Sequence, residues 1–384
     1  MKPGRTALVL SGGGARGAYQ AGLIAGLVEI ASGKARRPLF DVYVGSSAGA
    51  INAAMLAAHA DNPRAGTAAL DKLWRTIEPH RVFRTDLASL GSIGLRWAWD
   101  LSFGGVLSHV RPKSLLDTAP LRKLLAHVPF DRLQRNVRDG TLYALAVAAT
   151  DLYSSTGFLF VDGQREIQPW RRSRWQIELA PIGIDHLMAS SAIPIFFPSV
   201  QIGERHFGDG SIRNTAPLSP AIHLGADRIV TVSVQPAAAV LPAQPEKRPA
   251  PTIAQIAGTM LDAVMLDSVE TDVEHSGRVN ASVRQCRAVD CHNPFRRIEV
   301  LWLKPEVDFG ALARELADRM PPILRYLLRG LGSDEAITEL LSYLLFDPVF
   351  CGRLLDLGHE DARRMRPEIE EFLADERPMT ALAG

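Results

Sequence analysis

Short apolar runs broken by glycine and serine set the first rhythm of the chain. Residues 6–10 (TALVL) stop at Ser11-Gly12-Gly13-Gly14, and a helical pattern follows in which Ala18, Ala21, Leu23, Leu27 and Ile30 recur at three- and four-residue spacing. A second run, Phe40-Asp41-Val42-Tyr43-Val44, stops at Gly45-Ser46-Ser47-Ala48-Gly49 and leads into a small-residue helix from Ala50 to Ala60. Strand, glycine turn and helix, given twice, predict a parallel sheet with crossover helices. Apolar runs at 142–149, 157–161, 200–202, 229–234 and 298–303 predict further strands. From Val307 to Leu373 the pattern is helical and leucine-rich, with turns expected at Gly330–Gly332 and Asp347-Pro348. The expected organisation is an α/β core over 1–306, interrupted by a Pro/Ala-rich loop at 234–252, and a C-terminal helical extension over 307–384.

Composition narrows the classes. The 384 residues are 47% hydrophobic and 22% charged, which excludes a disordered chain. A chain of this size buries about three quarters of its unfolded surface, enough for a sizeable core. With 43 Lys+Arg against 42 Asp+Glu, the net charge of +1 argues against a nucleic-acid binder. Cys286, Cys291 and Cys351 make no disulfide framework, and no second Cys/His pair completes a zinc set, so neither metal nor cofactor is expected. The apolar stretch Ala7–Leu10 is too short for a signal-peptide core, and no run approaches the roughly 18 apolar residues of a membrane span. The chain reads as cytoplasmic.

The two glycine turns carry the chemistry. Gly12, Gly14 and Gly17 form a G-x-G-x-x-G between strand and helix, the pattern that holds a dinucleotide pyrophosphate. That fingerprint also needs an acidic residue ending the second strand, where this chain has Val44-Gly45-Ser46-Ser47. The nucleotide-binding oxidoreductase therefore keeps only half its signature. Gly45-Ser46-Ser47-Ala48-Gly49 matches G-x-S-x-G directly after an apolar strand and before a helix, the context of a nucleophilic serine on a strained turn. Two consecutive parallel strands bring both turns to one sheet edge, where the Gly12–Gly14 backbone can offer donors to an oxyanion. The histidines announce no triad partner. Asp209, flanked by Gly208 and Gly210, suits a projecting carboxylate, although Asp-Gly is also a common plain turn.

Three blocks together, Leu10–Gly17, Gly45–Gly49 and Asp209-Gly210, resemble the signature blocks of the patatin-like phospholipases. Ala149-Thr150-Asp151-Leu152, Ala189–Pro194 and Phe196-Phe197-Pro198 are similar to further family segments, so the likeness runs over roughly residues 5–235. Leu341–Phe346 looks like an extension found in a bacterial subgroup, and Ser211 departs from the Gly or Ala usual after Asp-Gly. The resemblance implies a three-layer α/β/α sandwich with a mostly parallel sheet. It further implies a serine lipid acyl hydrolase, with Ser47 as nucleophile and Asp209 as base in a dyad without histidine. Gly12, Gly13, Gly14 and Arg16 would form the oxyanion block, with Arg16 steadying the loop or meeting a phosphate head group. A catalytically silent lipid-binding scaffold on the same fold is the remaining alternative.

The substrate expected is a lipid or acyl ester, reached by peripheral membrane contact, in a monomer or homo-oligomer. Trp97, Trp99 and Phe103, with Gly104-Gly105 beyond, read either as core or as a cap over an acyl groove. Trp170–Trp175 interleaves cations and aromatics, reading as an exposed loop or an interfacial patch, and Asp151 reads as a structural turn residue.

Overall fold

A computed structural model describes residues 4–32, 38–84, 114–172, 174–214, 216–235, 269–288, 295–322, 324–325 and 340–374. Trp97, Trp99, Phe103 and Gly104-Gly105, the Pro/Ala-rich stretch from 236 to 252, the turn at Gly330–Gly332, and the side chains of Cys286 and Cys291 lie outside the described residues.

Five parallel strands form the centre of the sheet in the order β10-β9-β1-β2-β3: β1 (Arg5–Leu10), β2 (Val42–Ser46), β3 (Ala144–Asp151), β9 (Ala226–Val232) and β10 (Glu299–Leu303). Register pairs Val9 with Val44 and Leu10 with Gly45, so both glycine turns leave the same carboxyl edge. Beyond β3 the direction reverses at β4 (Thr156–Gly163), and the sheet continues through β6 (Trp175–Leu179) to the two-residue β5 (Arg171–Arg172). A short antiparallel pair, β7 (Val200–Ile202) and β8 (Arg205–Asp209), joins the end of β3 through Ala149 opposite Asp209. The Trp170–Trp175 stretch is thus partly an edge hairpin, with Trp170 stacked on His223.

Helices cover both faces. In chain order they are α1 (Gly17–Ala31), α2 (Ala48–Ala58), α3 (Pro63–Arg75), α4 (Pro79–Val82), α5 (Ala119–Leu125) and α6 (Phe130–Arg138). They continue with α7 (Ile184–Ser190), α8 (Ser219–His223), α9 (Val269–Ala288), α10 (Phe309–Glu315), α11 (Pro348–Arg364) and α12 (Arg366–Ala374). Alternation along the strands sorts the core into two layers. Leu8, Leu10, Tyr43, Leu145 and Val147 pack with α1, α2, α3, α7 and α11. Ala7, Val9, Val42, Val44, Ala144 and Ala146 pack with Leu218, Ala221 and Val273 on the other face. The result is the three-layer α/β/α sandwich with a mostly parallel sheet, and helices of the C-terminal region are present.

α1 explains why its apolar pattern is not confined to one stripe. It lies between the sheet and α11 and is buried nearly all round. The helices meet where small residues let backbones touch: the Leu355 carbonyl abuts Gly22, and the Tyr19 carbonyl abuts Gly358. The Tyr19 hydroxyl donates to Asp361 at 2.7 Å across the same contact. α11 starts at Asp347, whose carboxylate accepts from the Val349 and Phe350 amides, with Pro348 in the first turn.

Candidate active site

The turn between β2 and α2 holds Ser47 in a conformation that side chains rarely adopt, φ 53° and ψ −128°. Such backbone costs roughly 1–3 kcal/mol and persists only where its surroundings enforce it. The enforcement is visible. The Ser47 amide donates to the Ser190 hydroxyl at 2.9 Å, and its carbonyl accepts from Ala50 and Ile51 to start α2. Ser47 is 3% exposed and lies at the positive end of that helix.

Asp209 ends β8 and is fully buried. Its amide donates to the Ala192 carbonyl, its carbonyl accepts from the Thr150 hydroxyl, and Oδ1 accepts from the Ser211 amide at 2.8 Å. Oδ2 is buried, with no bond of full hydrogen-bonding geometry among the described residues. Burial pushes the carboxyl up to about 6, against the opposing pull of the Ser211 amide and of the nearby Ser47 and Ser211 hydroxyls. A carboxylate near neutral pKa facing a strained serine is an arrangement able to take that serine's proton. Among the described residues no histidine hydrogen-bonds Ser47. His206 packs against Tyr153, His223 against Trp170, and His186 against Phe160.

The Gly12–Gly14 turn closes the third side. Gly12 faces Ser47 and the Ser211 hydroxyl with no room for a side chain. Gly14 adopts φ 54° and lines the cleft with Ser47. Arg16 is turned inward: the residue is 2% exposed, and its guanidinium donates to the Ser342 hydroxyl. Ser211, the departure noted in the sequence, ties its hydroxyl to that of Ser46 at 3.1 Å and so joins the Asp209 loop to β2.

Beside Ser47 runs an apolar cleft lined by Ile51, Trp74, Leu121, Leu125, Phe197 and Phe346. Its empty volume is about 460 Å³, counting the part open to solvent. Asp151 lies apart from this cleft chemistry. Its carboxylate accepts from the Tyr153 amide, the Ser154 hydroxyl and Arg205, as a turn residue should.

Several supporting residues escape a motif reading. The Gln20 amide group donates to the Ser11 and Val232 carbonyls, Asn52 donates to Gly17 and to Gln20, and the Trp74 indole donates to Asn52. This buried relay pins the start of α1 to α2, hence one glycine turn to the other. A sequence signal for it existed: Asn52 is the one polar side chain in α2, and Gln20 sits among apolar and small residues in the first turns of α1. Ser190, Ser191 and Ser342 lie in segments that the family resemblance singled out, without a role for any of the three.

Among curated proteins, the chain is 27% identical over 239 residues to "Uncharacterized protein YjjU" of Escherichia coli (strain K12), covering 61% of this chain and 53% of that one. The chain thus spans about half the length of the curated relative it matches. A solved structure, that of VipD from Legionella pneumophila, is 13% identical with a TM-score of 0.32, covering 92% of this chain and 67% of that one. The family profile Patatin, described as patatin-like phospholipase, matches residues 8–222. That span is more than half of the chain and holds both glycine turns and Asp209, so this protein belongs to the patatin-like phospholipase family.

Proposed function

We propose that the protein is a serine lipid acyl hydrolase that cleaves carboxylic esters of phospholipids, lysophospholipids or related acyl esters. The observation that supports it most is the pairing of a strained Ser47 with a buried Asp209 whose carboxyl is raised to about 6. In this reading the Ser47 Oγ attacks the ester carbonyl carbon while its proton passes to Asp209. The tetrahedral oxyanion accepts hydrogen bonds from the backbone N–H groups of Gly13 and Gly14, with Gly12 giving the turn its shape and Arg16 holding the loop. Collapse breaks the carbon–oxygen bond to the alcohol, which leaves with the proton from Asp209. Water then attacks the acyl-serine, again giving its proton to Asp209, and releases the free acid as Ser47 is reprotonated.

Substrate reaches the site from a lipid surface. Leu152 and Tyr153, which follow β3 at the carboxyl edge, and Ile195 are large apolar side chains exposed by 46%, 84% and 61%, and they support peripheral membrane contact. No helix among the described residues is long and apolar enough to cross a membrane. The oxidoreductase alternative fares worse: a Cβ at Gly12, Gly14 or Gly17 would meet Ser47, Tyr343, Ala48 or Trp74, so these glycines serve close packing against the chain's own groups.

The test is labelling with a fluorophosphonate. Wild type is expected to take up the probe, Ser47→Ala to take up none, and Asp209→Asn to react slowly. Labelling of Ser47→Ala at the wild-type rate refutes the nucleophile. A wild type that binds lipid vesicles yet neither labels nor hydrolyses esters is the silent scaffold instead.

A further inference from the structure

Residues 340–346 enter the site from the far end of the sequence, beyond the stretch matched by the family profile. Arg16 stands two residues after Gly14, and its Nε and one Nη donate to the Ser342 hydroxyl at 2.8 and 2.6 Å. Its guanidinium also lies 4.1 Å from the centre of the Tyr343 ring. The Tyr343 carbonyl abuts Gly14, the left-handed residue of the turn. Three residues on, Phe346 lines the cleft beside Ser47, with its ring edge-on to Phe83 at 6.3 Å. Ser342 is wholly buried and Phe346 is 6% exposed.

A buried guanidinium is unfavourable unless its donors are directed at partners, and its planar fork then fixes geometry closely. Here that fork begins on the glycine turn and ends on a segment more than 320 residues away. The same segment sets the shape of the apolar cleft.

We propose that segment 340–346 is a working part of the active site, with two roles. Ser342 acts through Arg16 as a positioning residue for the Gly13 and Gly14 donors, and Phe346 limits the length of acyl chain the cleft accepts. The proposal rests on the reading of Ser47 as the nucleophile. Misplacing oxyanion donors lowers the rate without weakening ground-state binding, whereas opening the wall changes which chains fit. The two roles therefore leave different kinetic signatures, and neither is the signature of general loosening.

The experiment uses the full chain and p-nitrophenyl esters from acetate to palmitate, with melting temperatures measured alongside. Ser342→Ala is expected to lower kcat roughly 10- to 100-fold with KM within about twofold of wild type. Phe346→Ala is expected to raise the ratio of kcat/KM for long over short esters by roughly 10-fold, and Phe346→Leu, which keeps more packing, to move it the same way by less. An unchanged chain-length profile, or an equal loss on every ester, overturns the role of Phe346. A wild-type kcat in Ser342→Ala, or a raised KM with kcat intact, overturns the positioning role. If Ser342→Ala does not fold, Ser342→Cys, which keeps the volume and weakens the acceptor for Arg16, decides the positioning role by the same kcat readout. A wild type whose ester hydrolysis survives Ser47→Ala fails at the underlying reading instead, which separates the two failures.

Discussion

Gly12 stands so close to Ser47 that a Cβ on the glycine would lie 3.1 Å from the Cβ of the serine, and it would overlap the Ser211 hydroxyl. One methyl group at this point separates three elements that must meet: the first turn, the strained serine and the Asp209 loop. Gly12→Ala is expected to reduce kcat/KM by at least about 100-fold, because a displacement near 1 Å at reacting groups has that order of effect. Ester hydrolysis alongside circular dichroism checks it. A folded variant with near-normal rate would mean that the turn does not contact the reacting serine.

The raised carboxyl of Asp209 makes activity and stability respond to pH in opposite senses. Its proton-accepting form is the carboxylate, so kcat/KM is expected to fall as pH drops through about 6. A flat profile from about pH 8 to 5 counts against Asp209 as the base.

For stability the sign reverses. The native state holds the Asp209 proton more tightly than the unfolded chain does, with values of about 6 and 3.8, so this group favours folding less as pH rises between them. Above pH 6 the native state carries a cost of about 3 kcal/mol for a buried charge. Asp209→Asn is expected to melt higher than wild type at pH 7 to 8, with the difference vanishing below about pH 4. A variant that melts lower at pH 8 than wild type would show that the carboxylate is better solvated than its burial indicates.

Ser191 offers a second case of stability set against surroundings. Its hydroxyl is buried at the wall of an apolar cleft, with no hydrogen-bond partner among the described residues. An unsatisfied buried hydroxyl costs about 1–3 kcal/mol, so Ser191→Ala is expected to raise the melting temperature. Thermal melts of the two proteins settle it, and a lower melting temperature in the variant refutes the account.

The sequence made legible what is local. β1 with its glycine turn, β2 with Ser47, and Asp209-Gly210 each lie within a few residues, so run length, turn residues and spacing carry the information. The strands β9 and β10 were likewise readable as apolar runs. β5 and β6 were not: Arg171–Arg172 is too short to carry a pattern, and Trp175–Leu179 alternates apolar with polar residues, so it never builds a continuous apolar run. The bond from Arg16 to Ser342 spans 326 residues, and no periodicity links two such positions. A motif names residue types near a site, whereas the atoms that hold it still come from wherever the topology returns the chain.

The contact of α1 with α11 also bears on how the molecule comes to be made. Tyr19 finds Asp361 across 342 positions, and Gly22 finds Leu355 in the same contact. During synthesis at roughly 5–20 residues per second, α1 emerges early and waits tens of seconds for the helix that covers its outer side. Contacts of such separation make folding slow, because the loop must close before the packing rewards it. Until then the glycine turn at the head of α1 lacks its outer support. A nascent chain in that state exposes the apolar outer side of α1 until α11 docks.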